Sequence, residues 1–195
     1  MKKTIKVMLM AFIPFLSACS TQLNVYRDVT PELDLSLFFN GHLEAYGIVQ
    51  DFKGRVTRRF RADILGHWEG NNGLLDELFY FDDGEEQHRC WRLVKSGENY
   101  SGTAGDVIGQ ATGSTSGNAL NWGYVLAVPV GGKVWNIRLD DWMYLVDENN
   151  LINRASMYKF GIEVGQITLY IRKVSDKPHR DLTAGCELVV GNDDG

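Results

Sequence analysis

No apolar run in this chain is long enough to cross a bilayer as a helix, which takes about 20 residues. The longest, Val7 to Leu16, reaches roughly half of that. Proline is scarce, at four residues, and the basic stripe of a nucleic-acid-binding surface is missing. Lys and Arg total 20 against 25 Asp and Glu, a net charge of −5. The nearest approach to a basic run is Arg55 to Arg61, where Arg55, Arg59 and Arg61 alternate with apolar residues. Nucleic acid is therefore excluded as a partner. Cysteine is limited to three residues without C-x-x-C spacing, and His42, His67, His88 and His179 are scattered. No metal site is expected, and no cofactor. The chain also lacks G-x-S-x-G, H-E-x-x-H and a phosphate-binding glycine loop. Gly102, Gly105, Gly109, Gly113 and Gly117 recur at short intervals, but among short strands they mark bulges and close turns.

What is present begins at the first residue. Lys2, Lys3 and Lys6 precede the short apolar run, which ends in Leu16-Ser17-Ala18-Cys19. A basic start, a brief apolar stretch and small residues at the cut make a secretory signal. Cysteine directly after Leu-Ser-Ala resembles the bacterial lipobox, whose thiol takes acyl chains such as palmitate and becomes the mature N-terminus. Residues 1–18 are thus expected to be a signal peptide and Cys19 the lipidation site. Ser20, in place of an aspartate, implies the outer membrane, periplasmic side. Several buried acyl chains anchor a protein durably. Removal of the leader leaves 177 of the 195 residues and, with three lysines gone, takes the net charge from −5 to −8. The oxidising periplasm supplies no ATP, which argues against nucleotide-dependent chemistry. It permits a disulfide between Cys90 and Cys186, although sequence alone leaves their geometry open.

The rest reads as strand and turn. The chain has 21 glycines, five tryptophans and eight tyrosines, and no long helical period. Residues 19–34 are expected to form the acylated N-terminus and tether. Thr30-Pro31-Glu32 reads as a helix start with Thr30 as N-cap, and Phe38-Phe39-Asn40-Gly41 ends that helix within a turn or two. Strands are expected over 44–50, 55–65, 74–81, 86–95, 99–104, 107–112, 118–128, 133–146, 151–160 and 162–174. The second is the clearest: Val56, Phe60, Ala62 and Ile64 share one face, and Arg55, Thr57, Arg59, Arg61 and Asp63 the other. About ten strands in meander order would leave long open edges unless the sheet closes. The expected fold is all-β: an antiparallel up-and-down, lipocalin-like (calycin-like) β-barrel over 35–174 with a short N-terminal helix. The alternative is a two-sheet sandwich. Residues 175–195 read as a polar C-terminal tail.

Several motifs then stand out in order: Phe38-Phe39-Asn40-Gly41, Tyr80-Phe81-Asp82-Asp83-Gly84-Glu85, Gly117-Asn118-Ala119-Leu120-Asn121-Trp122, Asp140-Asp141-Trp142-Met143 and Lys159-Phe160-Gly161. Together they resemble an uncharacterised bacterial lipoprotein family, domain of unknown function 3833, over residues 26–173. The resemblance implies a lipid-anchored envelope protein and brings no catalytic residues with it.

Candidate site residues are those that break the inside/outside pattern. Asp141 shares a face with Trp135, Ile137, Leu139, Met143 and Leu145, and Glu77 lies in the row Leu75, Phe79, Phe81. A three-residue loop at 82–84 sets Glu77 opposite Arg89 and Leu75 opposite Trp91, whereas a two-residue turn brings Cys90 there instead. Arg58 interrupts the Val56/Phe60 row, and Arg154 shares a face with Ile152, Ser156, Tyr158 and Phe160. Inward charges in a barrel pair with one another, since a lone buried charge costs several kcal/mol. The same groups could line a ligand cavity, with arginine and hydroxyls holding a carboxylate or phosphate head and Trp and Phe covering a chain. A carboxylate in an apolar setting is also a candidate general base. The expectation is a non-catalytic lipoprotein that binds or handles a hydrophobic molecule, an acyl chain or lipid. The alternatives are a filled structural barrel that binds a protein partner, and a lipid-modifying enzyme using Asp141 or Glu77.

Overall fold

The computed structural model describes residues 22–175 and 180–187. The expected signal peptide and Cys19 lie outside the described residues. Ten strands follow one another: β1 (Gly41–Asp51), β2 (Val56–Glu69), β3 (Asn72–Phe81), β4 (Glu86–Ser96), β5 (Asn99–Thr103), β6 (Ala111–Ser116), β7 (Ala119–Val130), β8 (Lys133–Asp147), β9 (Asn150–Lys159) and β10 (Ile162–Lys173). Each pairs antiparallel with its sequence neighbours, and β10 returns to β1 in register from Leu43↔Lys173 to Asp51↔Gly165. The sheet is therefore a closed up-and-down barrel, and closure removes the edges that a sandwich would leave.

Alternation puts one row of each strand inside. On β2, Phe60, Ala62 and Ile64 are buried while Arg59 and Arg61 face water. One end of the barrel is plugged by the segment before β1. Leu33, Leu35, Phe38 and Phe39 are each at most 4% exposed there, and the Trp68 indole donates to the Phe39 carbonyl at 3.0 Å. Gly66 lets this segment approach: a Cβ on it would stand 1.9 Å from the Phe39 carbonyl oxygen.

The plug corrects the expected helix start. Its single turn, α1 (Leu35–Phe38), is capped by Asp34, whose carboxylate accepts from the Ser36 backbone at 2.8 Å and from Lys95 Nζ at 2.5 Å. Thr30 sits upstream, beside a cis bond to Pro31. The carboxylate wins because Lys95 and Tyr100, from the neighbouring strands, hold it at the plug.

A second correction concerns the sixth strand, expected at 107–112 and found at Ala111–Ser116. Val107 makes one isolated bridge to Leu126, and the Ile108 and Ala127 amides bond across to Val125 and Asp106 carbonyls. The apolar pair Val107-Ile108 lies along β7 as a loop in the barrel wall, beyond the last β6–β7 pair at Gly123, and does not pair with β5. The C-terminal residues differ from a loose polar tail wherever they are described. Arg180 to Cys186 cross the outer face of β2 to β4, and Cys186 is bonded to Cys90 with a Cα–Cα distance of 5.6 Å.

Candidate ligand cavity

Above the plug the barrel is not filled. A cavity of about 440 Å³ runs from Leu35 and Phe39 to Phe81, Pro129 and Val130 at the opposite end. Val130 lines it and is also 53% exposed, which places the mouth beside the β7–β8 turn. The upper walls are apolar, from Phe60, Phe79, Leu126, Met157 and Ile167 among others. Trp91 and Trp122 close the lower wall edge-to-face, with ring centroids 5.9 Å apart. A further hollow of about 510 Å³ lies outside the barrel against β4 to β7, lined by Leu23, Val94 and neutral polar residues. It holds no carboxylate or cation, so the internal cavity is the better candidate for chemistry.

Part of one cavity wall, contributed by β3, β4 and β7 to β9, is polar. The β3–β4 register sets Glu77 opposite Arg89 and Leu75 opposite Trp91, as a three-residue loop requires. Arg89 grips Asp106 bidentately, with Nη2 to Oδ2 at 2.6 Å and Nε to both oxygens at 3.0 Å, and its Nη1 lies 3.7 Å from Glu77. Burial works against the Arg89 charge, but Asp106 and Glu77 more than offset it and hold the guanidinium protonated. Glu77 is less well served. Burial, with Asp106 and Asp141 adding negative charge, pushes its carboxyl up to about 7 despite Arg89. Its Oε2 is buried with no hydrogen-bond partner. Across the cavity wall Asp141, 5% exposed, accepts from Asn153 Nδ2 and from Tyr124 Oη at 3.2 Å. Burial dominates there too and lifts Asp141 to about 6. Burial beside Asp141 drives the Tyr124 phenol well up, so it stays a donor.

The site residues read from the sequence divide into three groups. Arg58, Glu77, Arg89, Trp91 and Asp141 line the cavity. Trp135 does not: it stands at the mouth, 39% exposed, with Lys159 Nζ over its ring at 4.9 Å. Arg154 and Tyr158 are on the outer surface, Arg154 bonded to Gln166 at 2.8 Å and Tyr158 under the Arg138 guanidinium. This is a correction, with a physical reason. The inward row of β9 is Leu151, Asn153, Ala155 and Met157, and the apolar Ile152 is on the outside. Cys90, on the outer face of β4, and Cys186, in the C-terminal segment that crosses it, are joined outside the cavity.

The arginines also differ from a free carboxylate clamp. Arg58 gives Nη2 to Asp83 and Glu85, both at 2.8 Å, and stacks 3.7 Å over Phe81. Its Nε is buried and unpartnered. Both cationic groups thus already carry carboxylates of this chain. The polar wall offers a high-titrating acid, a phenol and an amide, suited to a head group that exchanges hydrogen bonds without bringing full negative charge. Sequence reasoning missed Tyr124, Asn153 and Asp106. Tyr124 and Asn153 do carry a signal, each being a polar group in a row of apolar neighbours two residues away. Asp106 arrives from a loop and carries none. Among the described residues no three His, Cys, Asp or Glu side chains gather to hold a metal.

Fold and cavity define the class: a closed ten-stranded barrel with a plugged end, an open end and a ligand-sized interior. The chain belongs to the family described as protein of unknown function (DUF3833), whose model matches residues 13–173. A search of curated proteins found no match. Among solved structures, a protein of unknown function of the DUF3598 family from Nostoc punctiforme is 13% identical with a TM-score of 0.53. The match covers 74% of this chain and 50% of that one, so this chain spans about half its length and shares a fold with it. A designed fluorescence-activating β-barrel is 12% identical with a TM-score of 0.37, over 72% of this chain and 99% of that one.

Proposed function

We propose that this is an envelope lipoprotein, held through Cys19 on the periplasmic side of the outer membrane, whose barrel binds an acyl chain or lipid without chemically changing it. The observation that carries the reading is the internal cavity of about 440 Å³, apolar in its upper walls and polar along one lower patch. That volume lies within the roughly 300–1,000 Å³ range of small-molecule sites. It speaks against a barrel filled by its own side chains. A chain lies among Phe60, Phe79, Leu126 and Met157, and its polar end meets Glu77, Tyr124 and Asn153.

The test is native mass spectrometry with solvent extraction on the mature protein purified from the envelope. Extraction removes a non-covalent lipid and leaves covalent acyl chains in place. A near-stoichiometric extracted lipid is the expected result. A protein that is empty, and that also fails to take up any of a panel of acyl chains, overturns the reading.

One feature favours a second reading. Asp141 is on the cavity wall with a raised carboxyl and, among the described residues, no cation within ion-pair distance, the setting of a general base. If Asp141→Asn changes the extracted lipid chemically and leaves its amount unchanged, the protein is an enzyme. If only binding changes, it is a carrier.

A further inference from the structure

Around the mouth, large apolar side chains point into water. Three hairpin tips form one arc there, because β10 pairs with β1 and β8 with β9. The β1–β2 tip carries Phe52, 70% exposed. The β7–β8 tip carries Val134 at 68%, and the β9–β10 tip carries Phe160 at 90% and Ile162 at 69%. Each tip also bears a lysine. Lys53 lies 5.4 Å over the Phe52 ring, Lys159 lies 4.8 Å over the Phe160 ring, and Lys133 directly precedes Val134. The adjoining β3–β4 tip is different in kind, with Asp82, Asp83 and Glu85 bound to Arg58 and Arg59.

Phe160 is the least expected of these residues. Its φ is 52°, a left-handed position that glycine or asparagine fills at lower cost. A phenylalanine placed there and left in water contributes nothing to the barrel core. Exposed aromatics next to lysines are the composition of a surface that meets the head-group layer of a bilayer. Charge selects the occupant further. A lysine on every apolar tip is attracted to anionic lipid and repels the same arc of a second copy. The arc is also continuous with the cavity, since Val130 belongs to both.

We propose that the arc of Phe52, Val134, Phe160 and Ile162 seats shallowly in an anionic phospholipid surface, with Lys53, Lys133 and Lys159 at the level of the phosphates. The mouth then opens onto the bilayer, and an apolar ligand passes between membrane and cavity without crossing water. The transfer route rests on the ligand-binding reading above. The docking does not.

Trp135, at the edge of the arc, is the reporter. The purified full-length protein is placed on vesicles of phosphatidylethanolamine and phosphatidylglycerol, with or without brominated acyl chains. The expected result is a Trp135 emission that bromolipid lowers by at least about twofold, seen as the component lost in Trp135→Phe. The variant with Phe160→Asn, which suits the turn, together with Ile162→Ser should abolish most of that quenching. So should K53E/K133E/K159E. Attachment through the N-terminal segment is the same in every variant, so differences report the arc. Equal quenching in the wild type and Trp135→Phe, or quenching unmoved by the tip variants, overturns the proposal. Lipid extraction on the same samples separates the two readings. A docked but empty protein defeats the carrier alone, and a filled but undocked one defeats the docking alone.

Discussion

At the scale of single residues, the informative groups are carboxylates in opposite situations. On the outer face Asp76 is fully buried; burial works against its charge, but the Thr183 amide, Arg180 and His88 hold its carboxyl below the usual range. Inside, Glu77 keeps an oxygen that faces Arg89 at 3.7 Å without a hydrogen bond, and burial pushes its carboxyl up to about 7. The signs follow from proton binding. Glu77 binds its proton more tightly folded than unfolded, so it favours the folded state less and less as pH rises from its ordinary value through about 7. Asp76 acts in the opposite direction and loses its contribution only in acid, as pH falls through its lowered value. Delipidated protein should therefore lose roughly 1–3 kcal/mol of stability between about pH 5 and pH 8. Denaturant melts at both pH values should show Glu77→Gln removing most of that slope. A slope unchanged in this variant would mean that Glu77 is charged and solvated. The pairing with Arg89 was legible as one of two registers, because hairpin loop length fixes register and the sequence left open whether the turn holds two residues or three. The outward placing of Arg154 and Tyr158 was not. Both rows of β9 mix polar and apolar side chains, and small Ala155 and polar Asn153 conceal the inner one.

At the scale of elements, the strands were legible and the connections only partly so. Alternation of the Phe60-Arg61-Ala62-Asp63-Ile64 kind survives any context in which one face is buried. The loop before β6 shows the limit: Val107-Ile108 has strand composition, yet it lies along β7 in the barrel wall with a single bridge, beside Asp106, a partner of Arg89. The C-terminal strap was illegible for another reason. Its contacts are single long-range ones, Arg180 to Asp76 and Asp63 and Arg92 to the Gly185 carbonyl, and no periodicity announces them. A bridge joining cysteines 96 residues apart constrains the unfolded chain strongly, in the range of about 2–5 kcal/mol. Cys186→Ser should cost that much in a chemical melt. It should also raise amide exchange along the outer faces of β3 and β4, where Asp76 and His88 lose their cover. The barrel should stay closed, because no β-ladder passes through the strap.

For the whole molecule, room for a ligand follows from strand number before any particular side chain. A barrel of about eight strands is just wide enough for its own side chains to fill. With ten, filling requires an addition, and the segment from Leu33 to Phe39 supplies it at one end only. The other end keeps its volume, and this asymmetry gives the molecule a floor and a mouth. Ala155 tests whether the volume is used. It is 2% exposed, paired with Asp141 on one side and Ile167 on the other, and lines the cavity. Ala155→Phe sends a ring into the empty space without touching the plug, the strap or the tips. Filling an unoccupied apolar volume should leave stability unchanged or slightly raised. If the acyl chain lies there, its affinity should fall at least about tenfold, equivalent to roughly 1.4 kcal/mol. A denaturant melt of delipidated wild type and variant reads the stability, and titration of both with one fluorescent monoacylglycerol, which carries no charge, reads the affinity. Equal affinity in the two would move the ligand out of the barrel, leaving the outer hollow against β4 to β7 as the next place to look.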